Sequence, residues 1–581
     1  MKRLLFSFLL LVWCAAGRAD DRPSILWITA EDMSPVLGCY DDQFAVSPNI
    51  DRLAKESVRY TRAFASAPVC SPSRSCLITG CYPPSLSTQQ MRSGFAIPKS
   101  MRGFPEHLRA RGYYTSNNVK TDYNTGNYAD IIRHSWNESS ATAHWRKRPD
   151  KTQPFFSIFN LMTSHQSRSM VWPYARFKKD VQSRLSAGEI HDPGKVPLPP
   201  YYPDTPLIRR EVARFYDCVT AMDKEVGAIL QQLEDDGLAE NTIIFFYSDH
   251  GSGMPRHKRA LLDSGMHVPL LIRFPKKWQH LAPGKPGTTT DRLVSFVDYA
   301  PTMLSLTGIP IPAAMQGAPF LGPKVAAPRR YVYGHRDRVD EVRDLARSVR
   351  DKRYLYIRNY MPHLGYNQPT AWPDSGEIRH DFYRLAKRET MTAAQWHFAA
   401  PTRPVEELYD CEVDPLNLNN LAKSGKHRNM LKRLRAEHLR HIAATADLGF
   451  LPESEAWELF AKQTGWKLGQ AGRVPLGGIH QAAAQVGVAS ERVFLENLDS
   501  DNPTIRYWGA IGLAVSPKIS GLAKRKLRRK ISDPSPAARI EIANALATHG
   551  DIPNALPALI DSTQHENLIV VTHAARIIEL L

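Results

Sequence analysis

The chain has 581 residues, too many for one compact core, so two or three domains are expected. Its 43% hydrophobic and 23% charged content is that of an ordinary folded protein, and no internal apolar run is long enough to span a bilayer. A net charge of +17 without a nucleic-acid motif fits an anionic partner other than nucleic acid, such as a sulfated polysaccharide, whose local concentration the field would raise, or solubility alone; charge does not decide between them.

The first element is the apolar block Leu4 to Trp13, preceded by Lys2 and Arg3 and followed by small residues. It reads as a signal peptide over 1–19, cleaved after Gly17-Arg18-Ala19, and implies an exported protein, periplasmic or secreted. Six cysteines follow it (Cys39, Cys70, Cys76, Cys81, Cys218 and Cys411), too few for a disulfide scaffold in a chain of this size. Cys76 and Cys81 are near enough in sequence to pair, but the connectivity is open.

Ser24 to Ala30 is a short apolar run that ends on Glu31-Asp32, the pattern of a buried parallel strand delivering charge at its C-terminal end. A helix from Asn49 to Lys55 and a strand from Val58 to Ala65 are expected next. Further strands are read at Gly112 to Ser116, Phe155 to Leu161 and Thr242 to Tyr247. Between the last two, Ile208 to Leu238 carries Val212, Phe215, Val219, Met222, Val226, Ile229 and Leu233 at helical spacing. The last strand ends on Ser248-Asp249-His250-Gly251. Strands and helices that alternate, with acidic residues at strand ends, predict an α/β sheet sandwiched by helices, with its site beyond the carboxyl ends of the strands.

After about Pro312 the chain becomes rich in Pro, Ala and Gly, and short strand-like pieces such as Tyr354 to Arg358 then return. These suggest a smaller α+β subdomain. From Gln481 the sequence turns helical: Asn502-Pro503-Thr504-Ile505-Arg506 recurs as Ser535-Pro536-Ala537-Ala538-Arg539, with a weaker third copy around Val570 to Ile577. That period resembles HEAT-type repeats, which bury their apolar faces against neighbouring repeats. The basic run Lys524 to Lys530 reads as a solvated helix face. The expected organisation is a signal peptide at 1–19, a catalytic α/β domain at 20–312, a C-terminal subdomain at 313–440, a linker at 441–480 and helical repeats at 481–581. The repeats are expected to take no direct part in bond cleavage.

The segment Cys70-Ser71-Pro72-Ser73-Arg74-Ser75-Cys76-Leu77-Ile78-Thr79-Gly80 is the most informative. It resembles the signature of type I sulfatases, members of the alkaline phosphatase superfamily, with Cys-x-Pro-Ser-Arg and the following Thr-Gly all present. The resemblance implies that Cys70 is oxidised to formylglycine by a formylglycine-generating or sulfatase-maturating enzyme. Hydrolysis of a sulfate ester needs positive charge on the sulfate oxygens and a strong nucleophile. A hydrated aldehyde supplies one hydroxyl to attack sulfur and a second whose deprotonation expels sulfate and restores the aldehyde. Arg74, one turn beyond Cys70, is placed to hold the diol and the sulfate.

The same resemblance assigns Glu31, Asp32, Asp249 and His250, with the modified Cys70, to a Ca²⁺ site, with Mg²⁺ the other hard cation such oxygen ligands accept. Glu31 departs from the family, where aspartate is commoner. Lys258, ahead of Asp263-Ser264-Gly265-Met266-His267-Val268-Pro269, matches a sulfate-binding lysine. His165 matches the histidine near the leaving-group oxygen, a candidate general acid. Lys120 matches another sulfate-binding lysine, but Asp122 stands where its partner histidine usually lies. Arg92 falls where related enzymes contact substrate.

The likeness extends from Ser24 to about Ala422. In Trp27 to Met33, Phe159 to His165 and Val349 to Tyr354 it is most similar to bacterial relatives of heparan N-sulfatase. It implies hydrolysis of sulfate esters or sulfamates of a sulfated carbohydrate. Two other readings compete: a phosphodiester or phosphonate monoester hydrolase of the same superfamily, and a catalytically dead glycan-binding scaffold.

Overall fold

The computed structural model describes residues 22–581; the expected leader and its cleavage site lie outside the described residues. Two sheets and a helical C-terminal segment make up the fold. The first sheet contains β1 (Ser24–Ala30), β2 (Ser57–Phe64), β3 (Tyr114–Asn118), β4 (Glu138–Ser139), β5 (Phe155–Leu161), β6 (Thr242–Ser248), β7 (His267–Arg273), β8 (Thr289–Thr290) and β9 (Val294–Ser295). Its order is β4-β3-β5-β1-β6-β7-β2-β8, with β9 also paired to β2. β1 runs parallel to β5 and β6, whereas β7 is antiparallel to β6 and β2, so the sheet is mixed.

The apolar run of β1 is continuous because both faces of the sheet are covered. Ile25 and Trp27 point into a core with Ile78, Phe104, Leu108, Met303 and Leu304. Leu26, Ile28 and Ala30 point the other way, onto Val212, Val219, Met222 and Val226 of the long helix Pro206–Asp235. Thr205 caps that helix by accepting the Ile208 N–H, and Pro206 opens its first turn.

A second, antiparallel sheet is formed by β10 (Val332–Arg336), β11 (Ala346–Arg350), β12 (Tyr354–Asn359) and β13 (Glu406–Asp410). The helix Arg428–Ala444 follows it. The stretch 441–480, expected as a linker, instead carries the helices Glu453–Leu459 and Gly465–Gln470. Its Leu448, Phe450 and Leu451 are buried, because they fill the seam between the second sheet and the tail.

The recurring tail motifs are helices that begin at Pro503, Pro536 and Leu568. Each is capped by the preceding polar residue: Asn502, Ser535 and Asn567 accept backbone N–H groups of the first turn. Arg506 joins one motif to the next through two 2.8 Å bonds to Asp533. Lys526 and Arg528 of the basic run pair with Asp499 and Asp551.

The tail is fused to the rest of the molecule. Tyr360, Met361 and Leu364 share one core with Phe450, Trp508, Ile511 and Ala537. Trp508 Nε1 donates to the Phe450 carbonyl at 3.0 Å, and Arg358 donates to the carbonyls of Ala484 and Val486. Each large side chain in such a seam contributes about 1.5–3 kcal/mol. A chain ending at Gln470 is therefore expected to aggregate or to melt at a much lower temperature. A monodisperse truncation on gel filtration, with an unchanged melting temperature, would contradict this.

Among the described residues no helix is long and apolar enough to cross a membrane. All six described cysteines are free, Cys76 and Cys81 included.

Candidate active site

Three adjacent parallel strands aim their carboxyl ends at one point. β1 delivers Glu31 and Asp32, β6 delivers Asp249 and His250, and β5 leads to His165. The helix Cys70–Thr79 enters the same point with Cys70 in its first position and every residue buried. Val69 supplies no side-chain cap, so the positive end of the helix dipole lies beside Cys70, a setting suited to an anion.

Close approach of backbones shapes the turn after β6. A Cβ on Gly251 would lie 2.1 Å from the Ser264 carbonyl oxygen, and one on Gly265 would lie 2.2 Å from the Ala260 carbonyl oxygen. Only glycine fits at either position, and the turn brings Lys258 over the start of the helix Cys70–Thr79.

Cys70 Sγ is 3.3 Å from His250 Nε2, 3.3 Å from Lys258 Nζ and 3.6 Å from Asp32 Oδ1. Lys258 reaches both Asp32 oxygens, at 2.8 and 2.7 Å. Asp32 also accepts the Gln166 backbone N–H at 2.8 Å and lies 3.0 Å from His250 Nε2. Burial would raise the Asp32 carboxyl, but Lys258, His165 and His250 hold it well below the usual carboxylate range. Burial likewise opposes a Cys70 thiolate, yet Lys120 and Lys258 bring the thiol below its ordinary value.

Arg74 donates to Asn160 Oδ1 at 2.8 Å and to Glu31, and its Nε lies 3.5 Å from Asp249 Oδ2. Glu31 is bound at its other oxygen by Lys120. The longer glutamate arm thus lies between two cations, although its carboxylate also falls in a group of donors with Asp32, Cys70 and His165. Asp122, standing where a histidine was expected, is 3.9 Å from Lys120 and adds negative charge there.

His165 Nε2 is 3.8 Å from Asp32 Oδ2, and its Nδ1 pairs with Ser167 Oγ at 2.8 Å. Burial pulls this imidazole down to about 4 against the opposing pull of Asp32, so it is neutral near pH 7. Arg92 lies at the rim, with 75% of its side chain exposed and Nη1 3.6 Å from Asp340 Oδ1.

The sequence reading therefore assigned to one site residues that do converge: Glu31, Asp32, Cys70, Arg74, Lys120, His165, Asp249, His250 and Lys258. It missed Asn160, whose Nδ2 donates to Asn117 Oδ1 and to the carbonyls of Asn118 and Lys120 while its oxygen orients Arg74. It also missed Gln166, Arg259 and Asp340: Arg259 donates to Gln166 Oε1 at 3.1 Å and to Asp340 Oδ2 at 3.0 Å. The sequence signal for Asn160 is a polar side chain in a mostly apolar strand, where Ser157 is polar too. Asn160→Ala is expected to lower kcat/KM by about tenfold to a hundredfold, ~1.4–2.7 kcal/mol of barrier, because Arg74 loses its orienting partner. Steady-state kinetics with an unchanged kcat/KM would show that Glu31 alone fixes Arg74.

Two groups of side chains could hold a cation, Glu31, Asp32, Cys70 and His165, and Asp32, Cys70, Asp249 and His250; the ligand atoms in each lie within 4.8 Å of one another. Among the described residues the buried Asp249 Oδ2 has no hydrogen-bond partner, the Arg74 guanidinium standing 3.5 Å away, and a bound cation would satisfy it. Carboxylates dominate the donors, which fits a hard divalent ion.

A buried anion cradle of arginine, two lysines and a helix N-terminus, beside a carboxylate cluster able to hold a metal, defines a hydrolase of small tetrahedral anions. The chain belongs to the sulfatase family. The family model "Sulfatase" matches residues 23–309, and the model "N-sulphoglucosamine sulphohydrolase, C-terminal" matches residues 255–368. An ulvan-active sulfatase of Formosa agariphila is 39% identical over 476 residues, covering 75% of this chain and 78% of that protein. Human N-sulphoglucosamine sulphohydrolase is 25% identical over 486 residues, 72% of this chain and 89% of that protein.

Two solved structures share the fold. One is an enzyme in complex with its substrate D-glucosamine-2-N,6-O-disulfate, with a TM-score of 0.52 at 17% identity, covering 73% of this chain and 98% of that one. The other is a phosphonate monoester hydrolase from Silicibacter pomeroyi, with a TM-score of 0.53 at 16% identity, covering 74% of this chain and 97% of that one. The protein is accordingly a hydrolase of sulfate esters or sulfamates.

Proposed function

We propose that this protein is an exported sulfatase that removes sulfate from a sulfated polysaccharide or its oligosaccharides through a formylglycine made from Cys70. The observation that carries this reading is the setting of Cys70: first residue of a buried helix, with Lys258 Nζ and His250 Nε2 each 3.3 Å from its sulfur. The sulfur marks the position from which the oxygens of a formylglycine hydrate would project. That hydrate supplies a nucleophilic oxygen and a route for sulfate to leave without a stable ester.

Asp32, Asp249 and His250 would hold a Ca²⁺, with Glu31 as the further carboxylate, and the ion would supply positive charge against the sulfate oxygens. The other roles belong to the chain itself. Arg74, Lys120 and Lys258 bind the anion and oppose the charge that builds on its oxygens. Asn160 and Glu31 fix Arg74 in place. His165, neutral and held by Ser167, offers its Nε2 hydrogen to the leaving-group oxygen. Arg92 at the rim meets the sugar.

Among sulfated carbohydrates, the 39% identity to an ulvan-active sulfatase favours an ulvan-type substrate over N-sulfoglucosamine, for which the likeness is 25%. The test is sulfate release, by ion chromatography, from ulvan oligosaccharides and N-sulfoglucosamine, beside phenol release from an aryl phosphodiester. Sulfate from the first is expected. Turnover of the phosphodiester alone would replace this reading by the phosphohydrolase one.

A further inference from the structure

A cavity of about 330 Å³ lies between the catalytic part of the chain and the C-terminal helices. Gln90, Arg338 and Asp340 form its near wall, and Tyr507, Leu568 and Thr572 part of its far wall. The volume falls within the range of small-molecule sites, about 300–1,000 Å³.

The near wall is tied by packing and hydrogen bonds to the start of the helix Cys70–Thr79. Val69, which precedes Cys70, packs with Met91 and Val339 in one small cluster. The Met91 N–H donates to the Arg338 carbonyl at 2.9 Å, and the Arg338 N–H donates to Gln90 Oε1 at 2.6 Å. Asp340, the next residue after Val339, lines the cavity and at the same time holds Arg259 and faces Arg92 at the rim of the anion site. The Arg259 backbone is in turn tied to the Pro68 carbonyl at 2.8 Å. Asp340 is thus shared by the cavity wall and the rim of the anion site.

Its charge selects among occupants. The walls carry the carboxylates of Asp340, Glu341, Asp344 and Glu453 against the guanidinium groups of Arg338 and Arg343. Both arginines are already engaged, Arg338 by the two oxygens of Glu453 and Arg343 by Glu541, His573 and Tyr507. Asp340 and Asp344 are paired in turn with Arg259 and Arg403, so among the described residues these walls offer no unengaged guanidinium to a second sulfate. Leu568, 76% exposed, and the neighbouring Ile569 add an apolar patch, and hydroxyl-rich rings with an apolar C–H face match that mixture of surfaces.

We propose that this cavity is a glycan subsite, built in part by the C-terminal helices, that takes an unsulfated sugar residue adjoining the one whose sulfate is removed. The proposal rests on the sulfatase reading above. It gives the tail a role in recognition while leaving cleavage to the first part of the chain.

The test compares kcat/KM on a sulfated monosaccharide, on the same sugar extended by one unsulfated residue, and on it extended by one sulfated residue. The wild type is expected to prefer the unsulfated extension over the monosaccharide by tenfold or more, and to gain nothing from the sulfated one. Thr572→Trp, an exposed position that fills the cavity, should erase the preference and leave the monosaccharide rate and the melting temperature unchanged. Leu568→Ala should reduce the preference without abolishing it. A preference that survives Thr572→Trp, or a loss shared equally by all three substrates, would overturn the subsite. So would a gain from the sulfated extension. If the wild type released no sulfate from any substrate, the sulfatase reading itself would fail, a result distinct from an active enzyme indifferent to Thr572→Trp.

Discussion

Cys70→Ala is expected to lower sulfate release by about 10⁴-fold or more, a barrier increase of ~5.5 kcal/mol or above, while the fold survives. The substitution removes only a sulfur atom from a buried first-turn position, so the stability change should stay near 1 kcal/mol. The kinetic change is far larger because the cradle of Arg74, Lys120 and Lys258 has no nucleophile to present to the anion it binds. Cys70→Ser should behave almost identically, since serine forms no geminal diol unless a serine-type maturase converts it. Sulfate release by Cys70→Ala within tenfold of the wild type, with a normal circular dichroism spectrum, would remove Cys70 from the mechanism.

Asp249→Asn is expected to cost about 10³-fold in kcat/KM, and exhaustive chelation should inactivate the wild type with recovery on adding Ca²⁺. Among the described residues no donor hydrogen-bonds the buried Asp249 Oδ2, and Asp32 and Glu31 crowd the same pocket with like charge. A cation that binds the folded state alone raises stability by mass action, about 2.7 kcal/mol at a hundredfold excess over its Kd. Added Ca²⁺ should therefore raise the melting temperature of the chelated wild type, and do so much less for Asp249→Asn. A melting curve indifferent to Ca²⁺ in both proteins would argue that Lys258 and Arg74 alone neutralise the carboxylates. Asp32→Ala is a poorer probe, because it also strands the buried Lys258 ammonium.

What could be read from the sequence depended on how local each signal is. β1, β5 and β6 declare themselves because a strand buried on both faces is mostly apolar, and Glu31-Asp32 after β1 and Asp249-His250 after β6 mark the sheet's carboxyl edge. The nucleophile helix is carried by a contiguous motif, and the long helix Pro206–Asp235 by its spacing. Asn160, Gln166, Arg259 and Asp340 act through contacts with residues 86, 134, 93 and 81 positions away, and nothing in their immediate neighbourhoods indicates those partners. The short strands β4, β8 and β9 have two residues each and no pattern to read. The helices Glu453–Leu459 and Gly465–Gln470 are too brief to show a periodicity. They are ordered by burying Phe450 and Leu451 against Trp508, and that partner lies in the tail.

The tail illustrates the same limit. Its repeating turns were legible from Asn502-Pro503 and Ser535-Pro536, each a cap followed by proline in the first turn. Its attachment was not, because the residues that bind it, Arg343, Arg358 and Tyr360, sit in strands and loops of the second sheet.

The central claim, that the nucleophile is a formylglycine derived from Cys70, is tested most directly by mass spectrometry of the peptide containing residue 70, taken from the active enzyme. Conversion of a thiol CH₂SH to an aldehyde CHO makes that peptide lighter by about 18 Da, and a hydrazine reagent should label the aldehyde. The account predicts that the fraction of lightened peptide tracks specific activity across preparations made with and without a maturating enzyme. Full activity in a preparation whose residue-70 peptide carries only the unmodified thiol would contradict it.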